Sequence, residues 1–125
     1  MYSVGVDIIE IERVQGVIDR WGQRFLGRIY TKAELDFCRG RVPELAVRFA
    51  GKESVMKALG TVRRGVSWRE IEILSNKRRA PLVFLHGRAR RRANKLAIKE
   101  LAISLSHSRD YAVASVVGGA QDRPQ

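Results

Sequence analysis

Hydrophobic and polar positions at the start of the chain predict a strand followed by a helix. Ser3 to Ile9 sets β-branched residues beside Gly5, which is typical of a short strand that other backbone approaches closely, and Asp7 interrupts it. From about Ile11 to Trp21, apolar side chains recur at steps of three and four residues. This spacing indicates an amphipathic helix that ends at Gly22.

Two further helices are predicted before residue 61. Thr31 and Glu34 have the spacing of a capping box, so a short helix is expected from there to Gly40. Pro43 to Leu59 is the longest helical pattern of the chain, and Gly60 follows it at the position of a C-terminal cap.

Gly51 lies in the middle of this longest helix. Glycine in a helix interior costs about 1 kcal/mol relative to alanine, so it is either tolerated here or required because something packs close to the backbone. If the helix prediction is right, Gly51→Ala should raise thermal stability by a modest amount, whereas a large loss of stability would indicate that the site requires glycine.

The second half of the chain is mostly strand-like. Ile71 to Leu74 and Pro81 to Leu85 flank a polar turn, which predicts a hairpin. Leu101 to His107 and Tyr111 to Val117 predict two more strands joined by a tight turn, and residues 118–125 are expected to form a flexible tail.

The order of these elements predicts an α+β fold rather than βαβ alternation. Helices cluster in the first half and hairpin-connected strands in the second. We therefore expect a single domain over residues 1–117, with the helices packed on a small, mostly antiparallel sheet. A chain of 125 residues is long enough for one such domain and short for two.

The charge of the chain points to an anionic partner without choosing one. The formal net charge is +11, divided as +2 over residues 1–60 and +9 over residues 61–125. Nucleic acid, an anionic membrane, a phosphorylated small molecule and an acidic protein all fit such a field.

Residues 88–99 are the main argument for nucleic acid, because they carry six basic side chains and no acidic one. No aromatic residue lies among them to stack on bases, so a solvated helix face is the preferred interpretation and nucleic acid is not the expected partner. The buried side of that helix is expected to consist of Ala89, Ala93, Leu96 and Ala97.

The cysteine content and the lengths of the apolar stretches indicate the cellular location of the protein. Cys38 is the single cysteine and there are two histidines, which gives neither a disulfide framework nor a zinc cluster. No secretion signal is evident, and no uncharged stretch reaches the ~20 apolar residues of a membrane helix. We expect a cytoplasmic protein without a membrane partner.

Asp7 and Glu53 are the candidate metal ligands. A carboxylate in an apolar strand needs a partner or a metal, although an Asp there is more often a cap or turn residue. Glu53 and Lys57 are four residues apart, for which an exposed ion pair is the common alternative. If the two carboxylates converge, they suit Mg²⁺ together with substrate phosphate, whose charge Arg48, Lys52 and Lys57 would meet.

Three segments together resemble the holo-acyl-carrier-protein synthase family, the short single-domain phosphopantetheinyl transferases. They are Gly5-Val6-Asp7-Ile8, the run from Arg48 to Gly60, and Ser104 to Ser108 followed by Tyr111-Ala112. Trp68, Ile71-Glu72-Ile73 and the hairpin containing Pro81 lie between them, so the resemblance covers nearly the whole chain.

The resemblance implies a Mg²⁺-dependent enzyme. It would transfer the 4′-phosphopantetheine arm of coenzyme A to a serine of apo acyl carrier protein and release adenosine 3′,5′-bisphosphate. A homotrimer is also implied, with active sites between neighbouring subunits. The attacking serine belongs to the carrier, so the chain itself needs no nucleophile and catalysis is mainly positioning and charge neutralisation.

Site residues follow from the same resemblance. Asp7 and Glu53 match the metal ligands, and Lys57 matches a lysine near the transferred phosphate. The residues expected to bind the coenzyme are Arg48, Lys52, Gly60 and His107, of which His107 could equally be structural. The residues expected to bind the acidic carrier are Arg13, Arg20, Arg24 and Phe25.

The chain departs from the family pattern at Gly51, Ser54, Val62 and Ala80. Val62 stands where a glycine is usual, which affects how closely the loop after Gly60 approaches the coenzyme. Two alternatives differ from the main hypothesis: an inactive relative that binds coenzyme A without transferring it, and a small basic nucleic-acid-binding module.

Overall fold

The computed structural model of the chain describes residues 1–61 and 65–119. Its elements are β1 (Tyr2–Glu10), α1 (Ile11–Trp21), α2 (Gln23–Ile29), α3 (Lys32–Cys38), α4 (Val42–Leu59), a 3-10 turn (Trp68–Glu70), β2 (Ile71–Ser75), β3 (Pro81–Leu85), α5 (Gly87–Lys95), β4 (Glu100–His107) and β5 (Tyr111–Gly119). The predicted α+β class is confirmed, and α2 is an element that the sequence pattern missed. No helix among these residues is long and apolar enough to cross a membrane.

Two antiparallel sheets support the helices. The first has the strand order β1-β5-β4, and the second is the predicted hairpin of β2 and β3. In the larger sheet Asp7 pairs with Ala114, which in turn pairs with Leu105. The long helix α4 packs across one face of this sheet and against β2, so its residues reach both sheets.

The helix approaches the sheet most closely at Gly5. A Cβ atom there would collide with the backbone carbonyl of Ser54, which confirms the close backbone approach predicted for this strand. The Ser54 hydroxyl donates to the Ala50 carbonyl at 2.8 Å and to the Ala114 carbonyl at 3.1 Å. Through these contacts α4 is fixed against β1 and β5, which places Glu53 beside β1.

Gly51 lies on the side of α4 that faces both sheets, where an added methyl group would be crowded. A Cβ atom at this position would lie 2.6 Å from Ile73 Cδ1 and 3.3 Å from both Ile103 Cδ1 and Leu105 Cδ2. Ile73 is fully buried, so it has little room to move away. The contacts between α4 and the two sheets therefore oppose the gain in stability that helix propensity alone predicts for alanine.

We expect Gly51→Ala to lower the free energy of unfolding by about 1 kcal/mol, because overpacking of 1–3 kcal/mol exceeds the helix-propensity gain of about 1 kcal/mol. Urea unfolding of the two proteins measures the difference. A higher midpoint for the alanine variant would show that the neighbouring side chains adjust freely.

Two sequence-based boundaries need correction. Gly118 and Gly119 pair with Ser3 and Tyr2, so β5 continues past the expected end of the domain at residue 117, and residues 120–125 of the predicted tail lie outside the described residues. At α5, Ala89 and Ala93 are buried as expected, but the helix ends at Lys95 and the next two residues are exposed.

Candidate functional site

The carboxyl groups of Asp7 and Glu53 meet where α4 crosses β1. The Asp7 side chain is 13% exposed, and it lies close enough to Glu53 for its charge to act on that carboxyl group. Burial raises the pKa of Glu53, the negative charge and hydrogen bond of Asp7 raise it further, and the cations of Lys57 and Arg13 oppose the shift. The convergence that the metal hypothesis requires is therefore present.

Lys57 completes this cluster one turn further along α4. Its ammonium donates to Asp7 Oδ1 at 3.0 Å and to the Val6 carbonyl at 2.9 Å. The lysine side chain is 45% exposed, so it can reach a group bound next to the carboxylates. Two carboxylates and one flexible ammonium form the centre of the candidate site.

The donor chemistry of this cluster fits magnesium. Within the described ranges, His, Cys, Asp and Glu nowhere gather in groups of three or more that could hold a metal. Mg²⁺ is commonly bound by one or two carboxylates, with waters and substrate phosphates as the other ligands. Zinc prefers three or four nitrogen or sulfur ligands, which this cluster does not provide.

Arg48 and His107 lie together on a second cavity, near the β4 edge of the sheet. The cavity has a volume of about 240 Å³, and Arg79, Pro81 and Ser106 also line it. Arg48 is only 1% exposed, and its guanidinium is largely occupied within the protein. It donates to Glu44 Oε1 at 2.8 Å, to the Ile73 carbonyl at 3.1 Å and to Ser75 Oγ at 3.2 Å.

Arg79 is a basic residue of this region that sequence reasoning did not select. It lines the cavity beside His107 and also a neighbouring cavity of about 400 Å³ that includes Arg39 and Arg41. The signal in the sequence was the run Lys77-Arg78-Arg79 in the hairpin turn. Its relevance depends on how the turn folds against α3 and α4, which local patterning does not indicate.

Lys52 lies in the core beside Glu34, a position that does not favour the predicted contact with the coenzyme. Its side chain is fully buried and its ammonium forms an ion pair of 2.8 Å with Glu34 Oε1. It also donates to the carbonyls of Trp68 and Ile71. An ammonium has three protons, and these contacts use all three. Lys52 therefore has a structural role.

Gly60 caps α4 in the left-handed conformation, with φ of 67°, and its amide donates to the Lys57 carbonyl at 3.1 Å. Arg92 of α5 donates to the Leu59 carbonyl at 2.8 Å, which stabilises the same helix end. The loop that follows includes residues 62–64, so the departure at Val62 lies outside the described residues.

The remaining α5 cations form an exposed face, as expected for a solvated helix. Arg88 pairs with Glu70 at 3.3 Å, while Arg90, Arg91 and Lys95 are exposed.

A mixed apolar and basic surface extends along α1 and α2. Val17, Trp21, Arg24, Phe25 and Arg28 line a depression of about 400 Å³. Trp21 is 48% exposed, although it is one of the apolar positions whose spacing predicted α1. Trp21 lies under two guanidinium groups, those of Arg20 at 5.2 Å and Arg24 at 5.8 Å.

Comparisons with known proteins agree on one family. The family model described as the 4′-phosphopantetheinyl transferase superfamily matches residues 3–116. A holo-[acyl-carrier-protein] synthase of Dehalococcoides mccartyi is 52% identical over 122 residues, which cover 98% of this chain and 100% of that protein. One from Herpetosiphon aurantiacus is 47% identical over 125 residues, with 94% and 98% covered.

Solved structures give the same result. The holo-[acyl-carrier-protein] synthase of Helicobacter pylori, in complex with coenzyme A, superposes with a TM-score of 0.85 at 30% identity. The superposition covers 93% of this chain and 99% of that one.

Proposed function

The chain belongs to the holo-[acyl-carrier-protein] synthase family of phosphopantetheinyl transferases, and from this premise we propose that Asp7 and Glu53 hold a magnesium ion for its reaction. The enzyme transfers phosphopantetheine from coenzyme A to acyl carrier protein. The observation that carries the metal assignment is the convergence of the two carboxyl groups beside the Lys57 ammonium.

The protein side of the chemistry is positioning and charge. A magnesium ion bound at the two carboxylates supplies positive charge for the coenzyme A pyrophosphate. Lys57, with its exposed ammonium, donates to the transferred phosphate and stabilises the charge that develops on it. The nucleophile is the carrier's serine, which is consistent with a cluster that contains carboxylates and an ammonium but no Ser or Cys.

We propose that the basic cavity at the β4 edge receives the nucleotide end of the coenzyme, and adenosine 3′,5′-bisphosphate leaves from there. His107 is exposed at this cavity, and Arg79 adds a cation to it. Arg48 shapes the cavity more than it binds a ligand, because its guanidinium already donates to Glu44, Ile73 and Ser75. Gly60 contributes by ending α4 in the left-handed conformation.

An assembly of three subunits is part of this proposal, and two features support contact between neighbouring subunits. One face of β1 is apolar and exposed, with Val4 at 68%, Val6 at 60% and Ile8 at 62%, which is typical of a surface that packs against another protein chain. In addition, Asp7 lies on β1 and His107 on β4, at opposite edges of the sheet. A coenzyme bound between neighbouring subunits would contact carboxylates of one and the basic cavity of the next.

The surface of α1 and α2 is our candidate for docking the carrier. Arg20, Arg24 and Phe25 lie on or beside the depression around Trp21, which offers an apolar centre with a cationic rim. Arg13 lies on the same helix and is close enough to Glu53 to affect its pKa. A carrier bound along α1 would therefore deliver its serine next to the carboxylates.

Reversing two rim charges with Arg20→Glu and Arg24→Glu is expected to raise the apparent KM for an acidic carrier on the order of tenfold, since rim charges mainly set the association rate. Coenzyme A binding, measured by calorimetry, should not change. Arg13 stays unaltered in this variant because it lies near Glu53. Weakened coenzyme A binding with an unchanged carrier KM would contradict the assignment.

The cytoplasm remains our proposed location. Cys38 is a buried free thiol, as expected for a protein that is kept in a reducing compartment.

Intact-mass analysis of an apo acyl carrier protein tests the function and its metal dependence together. With this protein, coenzyme A and Mg²⁺, we expect a mass gain equal to one phosphopantetheine group. EDTA should abolish the gain and added Mg²⁺ should restore it. A folded protein that binds coenzyme A but modifies none of several carriers would identify the inactive relative instead.

A further inference from the structure

Lys57 forms a hydrogen bond to Asp7 Oδ1, an oxygen atom that would also be a ligand of the proposed metal ion. Its ammonium donates to Asp7 Oδ1 at 3.0 Å and to the Val6 carbonyl at 2.9 Å. The Asp7 side chain is 13% exposed and that of Lys57 is 45% exposed, so solvent reaches the pair mainly from the lysine side. In this arrangement the lysine supplies the positive charge that compensates two facing carboxyl groups.

We propose that Lys57 is the resident counter-ion of the metal site, which leaves Asp7 when coenzyme and cation bind together. This inference rests on the proposed magnesium site. Lys57 lies in the last turn of α4, and a change of side-chain rotamer is sufficient to move its ammonium from Asp7 to a phosphate bound alongside. The same side chain then serves two anions in succession: the carboxylate before binding and the phosphate afterwards.

The consequence is that cation and coenzyme bind cooperatively. A cation that enters the coenzyme-free site must separate Lys57 from Asp7 without giving the ammonium a new anion. With coenzyme present, the ammonium exchanges a carboxylate for a phosphate. Linkage makes this coupling reciprocal, so the cation strengthens coenzyme binding by the same factor. An ion pair of this exposure shifts an equilibrium constant on the order of fivefold.

Titration with Mn²⁺, followed through the paramagnetic resonance signal of the free ion, measures the effect in the full-length protein. Without coenzyme, Lys57→Met is expected to bind Mn²⁺ on the order of fivefold more tightly than the unmodified protein. The further gain in Mn²⁺ affinity on adding coenzyme A should shrink by a similar factor. Lys57→Arg keeps the charge and should bind Mn²⁺ as the unmodified protein does.

Two matched variants distinguish the effect of the contact between Lys57 and Asp7 from the effect of the protein's overall positive charge. Lys95→Met makes the same chemical change at an exposed position on α5 and should leave Mn²⁺ affinity unchanged. Arg13→Gln removes a cation near Glu53 but leaves the pair between Lys57 and Asp7 in place, so its effect should be smaller. An unchanged affinity in Lys57→Met, or an equal effect in Arg13→Gln, would overturn the inference.

Asp7→Asn distinguishes this inference from the metal site on which it rests. If Mn²⁺ binding in the presence of coenzyme A is as tight in Asp7→Asn as in the unmodified protein, the metal assignment is wrong and the counter-ion role fails with it. If binding weakens in Asp7→Asn while Lys57→Met leaves coenzyme-free binding unchanged, the metal site stands and the counter-ion role alone is overturned.

Discussion

Glu53→Gln and Asp7→Asn are each expected to reduce the kcat/KM of phosphopantetheine transfer by at least about a hundredfold. Both substitutions keep the shape of the side chain and remove the charge that would hold a metal ion against the coenzyme pyrophosphate. The rate of mass gain of the carrier, followed at several coenzyme A concentrations, provides the measurement.

The melting temperature distinguishes loss of a metal ligand from loss of the folded structure as the cause of lower activity. Burial raises the pKa of Glu53, and the neighbouring Asp7 raises it further. Neutralising Glu53 removes a like-charge contact, so the melting temperature of Glu53→Gln should be unchanged or higher while activity falls. Glu100→Gln, the same change at an exposed strand position, should preserve both properties. Activity of Glu53→Gln within tenfold of the unmodified enzyme would remove Glu53 from the metal site.

Much of the fold is predictable because its signals are local. The capping box of Thr31 and Glu34 is present with both of its hydrogen bonds, and α1 has the predicted bounds. In contrast, α2 has seven residues, which is too short for a periodic pattern to be recognised. The end of α5 was misjudged because Ala97 continues the apolar spacing, whereas its φ of 58° takes the chain out of the helix.

The site is less predictable, because its geometry depends on contacts distant in sequence. Nothing in the spacing of Asp7 and Glu53 requires them to meet, and the expectation came from the family resemblance. Gly51 has its role through Ile73, Ile103 and Leu105, all more than twenty residues away. A basic run on a helix does not reveal which of its members face a cavity and which are enclosed between sheet and helix.

Lys52 is an example of a residue whose surroundings could not be predicted from its neighbours in the sequence, and its structural role can be tested by mutation. It lies next to Glu53 in the sequence, yet its side chain points to the opposite partner, Glu34, in the core. Glu34 is fully buried and also accepts from the Ile73 amide at 2.8 Å and the Thr31 amide at 2.8 Å. Burial lowers the pKa of Lys52, and the Glu34 carboxylate opposes the shift. The pair ties α3, α4 and β2 together.

Lys52→Met is expected to lower the free energy of unfolding by about 3–5 kcal/mol, because it leaves the Glu34 carboxylate buried without its counter-charge. Adding Glu34→Gln should recover part of this loss, since it removes the uncompensated charge and its amide oxygen can still accept from the Ile73 amide; recovery stays partial because the amide nitrogen cannot accept from the Thr31 amide. Denaturant unfolding of the two single variants and the double variant measures the coupling.

Two comparisons decide between this structural role and coenzyme binding. Lys32→Met breaks an exposed pair with Asp36 and should leave the unfolding midpoint unchanged, because surface pairs contribute little. Under conditions where Lys52→Met is still folded, its affinity for coenzyme A should equal that of the unmodified protein. Unaltered stability combined with weakened coenzyme binding would return Lys52 to the active site and would mean that its ammonium leaves Glu34 when the ligand arrives.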